Sequence, residues 1–378
     1  MTAAAGVGVL EAAKDAQAAA EGPVLFKGCD AIAEAAIRSG IDAYFAYPIT
    51  PQTDIPEYLA EHLPPLGKTF TQANSEISAI NMVYGAAGAG LRVMTSSSST
   101  GISLKQEGIS YIAGAELPCV IVNVMRGGPG LGTVYGSHED YWQSVKGGGH
   151  GGYRIPVLAP ATVKECADLT MLCFRLADLY RTPTLLCLDG TLGQMLENVQ
   201  FKPRDDSGLP PKDWATTGTR GVRKPNLVNS IIIEPLELEA HNRLLHARYA
   251  RMEQEEQRWE SYATEDADLV IVAFGLAGRI AHTAVEGLRK TGRKVGLLRP
   301  ISLFPFPIDA FRPLAKRLRR YLVVEMNAGQ MVEDVKRTLF DLQCLDPVSF
   351  YGRQGGVIPT PEEIAEVVVR EFTQGGAR

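Results

Sequence analysis

The sequence predicts an α/β protein built on a doubly wound parallel sheet, followed by a second and smaller α/β domain. Short apolar runs rich in β-branched and aromatic residues alternate with amphipathic helical patterns, and the alternation resumes after a polar interruption. Continuous apolar strands are typical of parallel sheets that helices cover on both faces. The length of 378 residues fits about two domains.

The composition divides the chain into four parts. Residues 1–23 are an Ala-rich tail in which we expect no chemistry, and residues 24–198 are predicted to form the larger domain. Residues 199–264 contain several prolines and many charges, which indicate an exposed connection followed by one long charged helix over Leu236–Tyr262. Residues 265–378 restart the alternation of strands and helices and are predicted to form the smaller domain.

Strands are predicted at runs of β-branched and aromatic residues, and helices where apolar positions recur at helical spacing. Gly40 is typical of a residue that ends a helix, and Thr360 followed by Pro361 is typical of a helix start. The predicted strands are Ala43–Tyr47, Val93–Thr95, Val120–Val124, Thr184–Leu188, Asp268–Phe274, Lys294–Arg299 and Tyr321–Glu325. The predicted helices, besides the long charged one, are Asp30–Arg38, Ser75–Gly85, Val163–Leu179, Arg279–Lys290 and Pro361–Phe372.

Composition argues against several classes of function. The formal charge of −5 argues against nucleic acid or an anionic membrane as the main partner. No apolar run reaches the ~18 residues of a membrane span, and the N-terminus lacks the order of a secretory signal. The six cysteines are scattered without a CxxC pair, which excludes a zinc ribbon or a ferredoxin-type cluster and fits a reducing cytoplasm.

A turn bounded by prolines follows the first predicted strand of the larger domain. The segment Tyr47-Pro48-Ile49-Thr50-Pro51 cannot enter a helix before its second proline, so Thr50 is held just beyond the carboxyl end of the strand. Open α/β sheets bind their ligands at this edge. The alternative is a rigid loop in which Thr50 only caps the next helix.

Glu76 lies at a predicted helix start, with Asn74 or Ser75 as the candidate N-cap. The small residues of segment 85–90 would allow a neighbouring backbone to approach this helix closely. One interpretation is therefore a buried carboxylate beside a cofactor. The alternative is an acidic residue that only complements the helix dipole.

The segment Thr95–Leu104 is a polar loop at the end of a predicted strand. Its four serines and two threonines offer many hydrogen-bond donors and are able to cradle an anion. A serine nucleophile is not favoured, because the chain has no GxSxG elbow and only six histidines are available as bases.

Arg126 follows a buried strand and opens a glycine-rich loop. Its bidentate guanidinium suits a carboxylate ligand, and a salt bridge is the alternative. The string GGPGLG fits a dinucleotide-binding pattern only loosely, because its proline interrupts the required helix. Further on, the segment Lys146–Arg154 (KGGGHGGYR) and the nearby His138 present cationic groups suited to phosphates, although His150 suits a structural role equally well.

Together and in this order, these segments resemble the 2-oxoacid:ferredoxin oxidoreductase family, in particular its α-type subunit with the thiamine diphosphate pyrimidine-binding domain. The resemblance extends from about Gly28 to about Arg370 and rests on YPITP at 47–51 and SLKQEGISYIAGAELPCVIVNVMRGGPGLG at 103–132. The segment 146–154, with VGLLRPISLFPFP and VVEMNAGQM further on, is most similar to the 2-oxoisovalerate (branched-chain) branch.

The resemblance implies a pyrimidine-type thiamine-diphosphate-binding sheet followed by a transketolase C-terminal-like domain. It implies oxidative decarboxylation of a 2-oxoacid, favouring branched-chain acids, with coenzyme A to acyl-CoA, CO2 and reduced ferredoxin. An aryl 2-oxoacid such as phenylglyoxylate, 2-oxoglutarate, and a non-catalytic scaffold subunit remain alternatives. A thiamine-dependent dehydrogenase or transketolase subunit is disfavoured by the YPITP turn and the KGGGHGG loop.

The resemblance implies catalytic roles for Glu76, Thr50 and Arg126. Glu76 would hydrogen-bond N1′ of the aminopyrimidine and favour the tautomer that removes the thiazolium C2 proton. Thr50 would lie beside cofactor and substrate, and Arg126 would bind the substrate carboxylate. The residues expected to bind the cofactor are Tyr47, Pro48, Ile49, Thr50, Glu76, Ser98 and Ser99. On the substrate and coenzyme A side we expect Arg126, His138, Lys146 and His150, and we expect no metal ligand.

Thiamine enzymes hold the diphosphate through Mg2+ with a GDG motif followed by an asparagine, and this sequence contains no GDG. The resemblance therefore implies a β-type partner subunit that supplies the diphosphate and Mg2+ half of the site. It also implies γ- and δ-type subunits, [4Fe-4S] clusters in partner subunits, and ferredoxin or another electron acceptor. The chain would then be half of an active site within a hetero-oligomer.

Overall fold

The computed structural model describes residues 22–219, 221–317 and 319–374, so the predicted tail lies almost wholly outside the described residues. The strands are β1 (Val24–Lys27), β2 (Ala43–Ala46), β3 (Thr69–Gln72), β4 (Val93–Ser97), β5 (Cys119–Met125), β6 (Val157–Leu158), β7 (Pro183–Asp189), β8 (Leu196–Val199), β9 (Trp259–Tyr262), β10 (Leu269–Val272), β11 (Val295–Pro300), β12 (Ser302–Phe304), β13 (Arg320–Glu325) and β14 (Val348–Gly352).

The helices are α1 (Gly28–Arg38), α2 (Asp54–His62), α3 (Glu76–Gly88), α4 (Thr100–Gly114), α5 (Tyr141–Lys146), α6 (Val163–Tyr180), α7 (Gly190–Gln194), α8 (Pro235–Glu255), α9 (Gly275–Lys290), α10 (Ile308–Phe311), α11 (Met331–Asp341) and α12 (Pro361–Gln374), with a short 3-10 turn at Pro64–Leu66. Most of the predicted strands and helices are found within a few residues of their predicted bounds.

Two mainly parallel sheets organise the described part of the chain. The larger has the strand order β12-β6-β7-β5-β4-β2-β3, and its neighbours run parallel except for β12, which is antiparallel to β6. The smaller has the order β14-β13-β10-β11-β9, and there only β9 is antiparallel to its neighbour. This topology confirms the predicted α/β class with two successive parallel sheets.

Helices cover both faces of the larger sheet because its strands are apolar on both sides. Helices α1, α2 and α6 pack on one face, around a buried cluster that includes Ile32, Leu59 and Phe174. Helices α3 and α4 pack on the other face, and their buried cluster extends through Tyr141 to Phe274 of the smaller domain. The two domains therefore share one continuous apolar core.

The helix predicted over Leu236–Tyr262 is wrong at its C-terminal end. Helix α8 ends at Glu255, and the last four residues of the predicted helix form β9 instead. β9 pairs antiparallel with β11, with Tyr262 opposite Leu297. Pairing with the exposed edge of a sheet satisfies backbone groups, and this tertiary contact overrides the local helical propensity of Trp259–Tyr262.

The predicted connection before α8 is largely exposed, but it is attached to the larger domain near Ala215. The amide of Thr216 donates to the carbonyl oxygen of Gly88 (2.9 Å), and the Arg181 guanidinium lies 4.8 Å from the ring centroid of Trp214. Strand β9, from the predicted linker, joins the smaller sheet, and β12, from the predicted C-terminal domain, joins the larger one. Each sheet therefore includes a strand that the sequence analysis assigned to a different part of the chain.

A buried arginine connects the two domains. Arg299 of β11 is 6% exposed, and its guanidinium donates to the Glu165 carboxylate of α6 (2.6 and 3.0 Å) and to the Glu260 carboxylate of β9 (2.8 Å). Charge-assisted hydrogen bonds of this kind are stronger than neutral ones. Arg299 therefore ties a helix of the larger domain to two strands of the smaller sheet.

We expect Arg299→Met to lower the free energy of unfolding by about 2 kcal/mol, because two carboxylates lose charge-assisted hydrogen bonds. Urea denaturation of the chain measures the change. Arg337→Met is the matched control, since Arg337 pairs with Asp341 on an exposed helix face and should contribute less than about 0.5 kcal/mol. Equal losses for the two variants would show that Arg299 has no special stabilising role.

Candidate active site

The turn after β2 lies at the carboxyl edge of the larger sheet, as the proline pattern predicts. Tyr47, Pro48 and Thr50 are exposed there. The turn is held from below by Gln52, which is fully buried: its Nε2 donates to the carbonyl oxygen of Tyr47 (3.3 Å), and its Oε1 accepts a hydrogen bond from Ser96 Oγ. Gln52 thereby connects the exposed turn to β4.

Glu76 is the first residue of α3 and is only 6% exposed. Ser75 is the N-cap, and its hydroxyl accepts a hydrogen bond from the amide of Ser78 (3.1 Å). A Cβ built on Gly101 would lie 2.8 Å from Glu76 Oε1 and 2.1 Å from Ser97 Oγ, so only glycine at 101 lets the carboxylate reach this position. No group among the described residues donates a hydrogen bond to that carboxylate, which remains available to a ligand.

Of the three serines at the end of β4 and in the turn before α4, only Ser99 has a side-chain hydrogen bond among the described residues. The amide of Ser99 donates to Asn123 Oδ1 (3.0 Å), and its hydroxyl donates to Asp140 Oδ2 (2.6 Å). Burial raises the pKa of Asp140. The hydroxyls of Ser97 and Ser98 are buried without a hydrogen-bond partner among the described residues, so this turn keeps unsatisfied polar groups beside Glu76.

Arg126 follows β5 and joins three loops at the same edge. Its guanidinium donates to the carbonyl oxygen of Thr50 (3.0 Å), the hydroxyl of Thr100 (3.2 Å) and the carbonyl oxygen of Leu131 (3.1 Å). A cavity of about 340 Å³ opens beside it. The cavity is lined by Ser99, Thr100, Ser103, Arg126, Gly127, Gly128, Pro129, Gly130, Leu131, Glu139, Asp140, Ala328, Gln330 and Gln354.

The three cationic residues expected near coenzyme A do not line this cavity. His138 is 1% exposed, its ring stacks on Phe274 with the centroids 4.2 Å apart, and its Nε2 lies 3.7 Å from Asp189 Oδ2. Because His138 is enclosed between the domains, the geometry argues against a direct contact with a phosphate group. Lys146 is half-exposed and pairs with Asp334 of α11 (2.5 Å), and His150 is exposed in the glycine-rich loop.

The sequence did not single out several polar residues that shape the site. Gln52 and Asn123 fix the turns after β2 and β4, and Asp140 accepts hydrogen bonds from both Ser99 and Asn123. Lys105 is fully buried behind β4. One signal was available for Lys105, since a charged residue four positions after Gly101 shares a helix face with that glycine.

No helix in residues 22–219, 221–317 or 319–374 is both long and apolar enough to span a lipid bilayer. The same residues contain no group of three or more His, Cys, Asp or Glu side chains arranged to hold a metal ion. The six cysteines are buried and form no disulfide.

Two family profiles match successive parts of the chain. The profile described as pyruvate flavodoxin/ferredoxin oxidoreductase, thiamine diP-bdg, matches residues 34–259. The profile described as pyruvate:ferredoxin oxidoreductase core domain II matches residues 267–364. The matches follow the larger and the smaller domain in order.

Individual proteins agree with the profiles. The ketoisovalerate oxidoreductase subunit VorB of Methanothermobacter thermautotrophicus is 49% identical over 344 residues, covering 91% of this chain and 96% of that one. The structure of the 2-oxoglutarate:ferredoxin oxidoreductase from Magnetococcus marinus with 2-oxoglutarate, coenzyme A and succinyl-CoA bound matches with a TM-score of 0.81 at 27% identity, covering 93% of this chain and 65% of that one. A split gene transketolase, in an inactive β4 tetramer, matches with a TM-score of 0.58 at 14% identity, covering 92% of this chain and 98% of that one, which is a likeness of fold alone.

These matches confirm both the family resemblance and the predicted succession of a thiamine-diphosphate-binding sheet and a transketolase-like second domain. The coverage of 91% by a relative at 49% identity extends the agreement over both domains. The chain therefore belongs to the pyruvate flavodoxin/ferredoxin oxidoreductase family, as a thiamine-diphosphate-binding subunit of a 2-oxoacid:ferredoxin oxidoreductase.

Proposed function

We propose that this chain binds the aminopyrimidine half of thiamine diphosphate in an enzyme that oxidatively decarboxylates branched-chain 2-oxoacids with coenzyme A. Thiamine diphosphate, when bound, supplies the carbanion chemistry, and the protein orients and tunes it. The observation that carries the proposal is the position of a buried carboxylate, Glu76, and a guanidinium, Arg126, at the carboxyl edge of one parallel sheet. Ligands of open α/β sheets bind at this edge.

The surroundings of Glu76 fit an aminopyrimidine ring. The carboxylate is nearly enclosed and accepts no hydrogen bond from the described residues, so it is free to accept one from N1′ of the ring. The unpartnered hydroxyls of Ser97 and Ser98 lie at the same turn and offer further polar contacts. In a site of low polarity such a carboxylate interacts strongly with a ring N–H, since little water screens the pair.

The turn after β2 would form one wall of the cofactor site. Ile49 offers an apolar side chain for the pyrimidine ring, and Thr50 lies where its carbonyl oxygen accepts from Arg126. The exposed Tyr47 and Pro48 extend the wall outward. Because Gln52 connects this turn to β4, the wall is attached to the strand whose last residue, Ser97, lies with Glu76 at Gly101.

Arg126 would bind the carboxylate of the 2-oxoacid. Its three hydrogen bonds to neighbouring loops orient the guanidinium plane, and its buried Nε has no hydrogen-bond partner among the described residues. A substrate carboxylate would take the place of one loop carbonyl and form a charge-assisted pair. The adjacent cavity of about 340 Å³ provides room for a small acid.

A β-type partner subunit would complete the site. The sequence has no GDG motif, so the Mg2+ and diphosphate half is proposed to come from that partner, with [4Fe-4S] clusters and the ferredoxin contact in further subunits. Large apolar side chains exposed near this edge of the sheet support an interface there, because monomers rarely leave such patches open. They are Tyr47, Ile77, Leu131, Val134, Tyr135 and Trp142.

Lys146 and His150 are proposed as outer contacts for the phosphates of coenzyme A. Both lie on the exposed glycine-rich loop and its preceding helix, where cationic groups meet solvent. To bind a phosphate, Lys146 would have to break its ion pair with Asp334, whereas His150 would not have to break one with any described residue.

Glu76→Gln should lower kcat by roughly 10²-fold or more, because the amide cannot hold the ring tautomer that a carboxylate holds. The measurement is 2-oxoacid-dependent reduction of the acceptor by the assembled complex, with size-exclusion chromatography to confirm assembly. Glu107→Gln, at an exposed position of α4, is the matched control and should keep normal turnover. Normal turnover in Glu76→Gln would show that the carboxylate has no catalytic role.

Arg126→Lys should lower kcat/KM for the 2-oxoacid by roughly 10- to 100-fold, since lysine keeps the charge but loses the planar fork. The KM for coenzyme A should stay unchanged in the same assays. Arg243→Lys, on the exposed face of α8, serves as the control. An unchanged kcat/KM, or an equal effect on both substrates, would argue that Arg126 only organises the loops.

The relative at 49% identity is named for ketoisovalerate, and the structure at 27% identity is named for 2-oxoglutarate. We therefore expect 3-methyl-2-oxobutanoate to have the highest kcat/KM in a panel of 2-oxoacids that includes 2-oxoglutarate, pyruvate and phenylglyoxylate. The assay uses the native complex with coenzyme A and measures acyl-CoA together with reduced acceptor. A higher kcat/KM for 2-oxoglutarate or phenylglyoxylate would assign the chain to another branch.

A further inference from the structure

A fully buried lysine lies beneath the edge of the sheet that carries Glu76. The ammonium group of Lys105 donates hydrogen bonds to Thr95 Oγ1 (2.6 Å) and to the carbonyl oxygen of Ser96 (2.9 Å), and the residue has no exposed surface. Both acceptors belong to β4, just before the serine-rich turn. Lysine is almost never fully buried unless its charge is paired, so this position calls for a counter-charge.

Helical spacing places Lys105 on the face of α4 that packs against α3. Gly101, one turn earlier, approaches Glu76 so closely that a Cβ there would lie 2.8 Å from Glu76 Oε1. Gly108, one turn later, approaches α3 in the same way: a Cβ built on Gly108 would lie 2.5 Å from Ile80 Cγ2. Positions 101, 105 and 108 share one helix face. Lys105 is therefore flanked by two contacts with α3, and one of them is the Glu76 carboxylate.

Glu76 is the carboxylate that acts on Lys105 from across the contact between α3 and α4, at a distance beyond that of a direct ion pair. Among the described residues, the titratable groups that act on Lys105 are Glu76 from α3 and Cys119 from β5, and its hydrogen-bond acceptors from β4 are neutral. Burial raises the pKa of the Cys119 thiol to about 12, so that thiol is uncharged near neutral pH. Among the described residues, the one carboxylate that acts on the ammonium group is therefore that of Glu76.

We propose that Lys105 is the counter-ion of Glu76 and, through the charge of its buried ammonium group, a positioning residue for the carboxylate that accepts the aminopyrimidine N–H. The inference rests on the proposed role of Glu76. Lys105 touches neither cofactor nor substrate and acts through the carboxylate. A neutral lysine that only ties α4 to β4 would instead leave the two residues energetically independent.

Burial lowers the pKa of Lys105 to about 7, and the charge of Glu76 works against that shift. The unfolded chain, with an ordinary lysine, binds more protons than the folded chain from about pH 7 upward to the usual lysine value. Stability contributed by this site therefore rises with pH across that window. Without the Glu76 charge the folded pKa falls further, and the rise begins at a lower pH.

A double-mutant cycle on the full chain tests the pair, with Lys105→Met, Glu76→Gln and the double variant compared by urea denaturation at pH 6 and pH 9.5. At pH 6, where Lys105 is charged, the coupling should be roughly tenfold in the folding equilibrium constant. It should vanish at pH 9.5, where Lys105 is neutral. Titration of the buried cysteines affects all four chains alike and cancels in the cycle, apart from the neighbouring Cys119.

Lys164→Met with Asp168→Asn is the control cycle, because that pair is partly exposed and should couple by less than about twofold. Absent coupling between Lys105 and Glu76 at both pH values, or equal coupling at both, would overturn the proposal. If Lys105→Met does not fold, the pH dependence of the urea midpoint is compared between Glu76→Gln and the unmodified chain, and this comparison still tests the proposal. Parallel pH profiles of their urea midpoints would contradict the charge pairing.

A second measurement separates this inference from the proposed function. In the assembled complex, Glu76→Gln should slow the exchange of the C2 proton of bound thiamine diphosphate with deuterated water, and Lys105→Met should slow it to a lesser degree. Unchanged exchange in Glu76→Gln would overturn the catalytic role of Glu76, whatever the cycle gives. Slowed exchange in Glu76→Gln with no coupling in the cycle would overturn only the role of Lys105.

Discussion

The close approach of α3 to α4 is the constraint on which the rest of the site depends. Two glycines, Gly101 and Gly108, allow it, since a Cβ at either position would overlap Glu76 or Ile80. The approach places the first residue of α3 against the first turn of α4, where β4 ends. A carboxylate is thereby enclosed at the edge of the sheet rather than pointing into solvent, and its burial makes every neighbouring charge count more strongly.

The loops at the same edge are connected to one another rather than independent. Arg126 reaches the turn after β2 and the first residue of α4, and Gln52 fixes the turn after β2 to β4. Ser99 and Asn123 share the carboxylate of Asp140. Hydrogen bonds therefore join each of these loops to at least one neighbour. Such connections favour the fixed geometry that the proposed catalytic site would need, although most of its residues lie in turns.

Much of the fold followed from the sequence because its signals are local. Apolar runs and helical spacing identified the strands and helices, and proline and glycine marked the turns at the carboxyl edge. The motifs around Thr50, Glu76 and Arg126 predicted that these residues lie at that edge. The end of α8 could not be obtained in this way, because β9 forms only when the edge of β11 is present to pair with it. β9 and β11 are more than thirty residues apart in the sequence, and such long-range pairing produces no periodic pattern within β9 itself.

Side-chain partnerships were the other part that the sequence could not supply. His138 looked like an accessible cation in a glycine-rich region, but the domain interface encloses it against Phe274. Lys105 was not singled out from the sequence, and its burial follows from the face of α4 that packs on α3. Burial of a charged side chain depends on which face meets a neighbour, and that is decided by the packing of two helices. A charged residue in register with two close-packed glycines is the sequence pattern that would have indicated it.

The charges that act on Glu76 come partly from this chain and, in the proposed complex, partly from its partners. The N-terminus of α3 favours an anion at its first residue, and Lys105 adds a buried positive charge beside it. Both groups belong to this chain, so they surround the carboxylate before any other subunit binds. The diphosphate and its metal are proposed to belong to the partner, which would therefore bring the cofactor to a carboxylate that this chain already encloses. A division of this kind lets the two halves of the site fold separately and still form a preorganised catalytic pair when they meet.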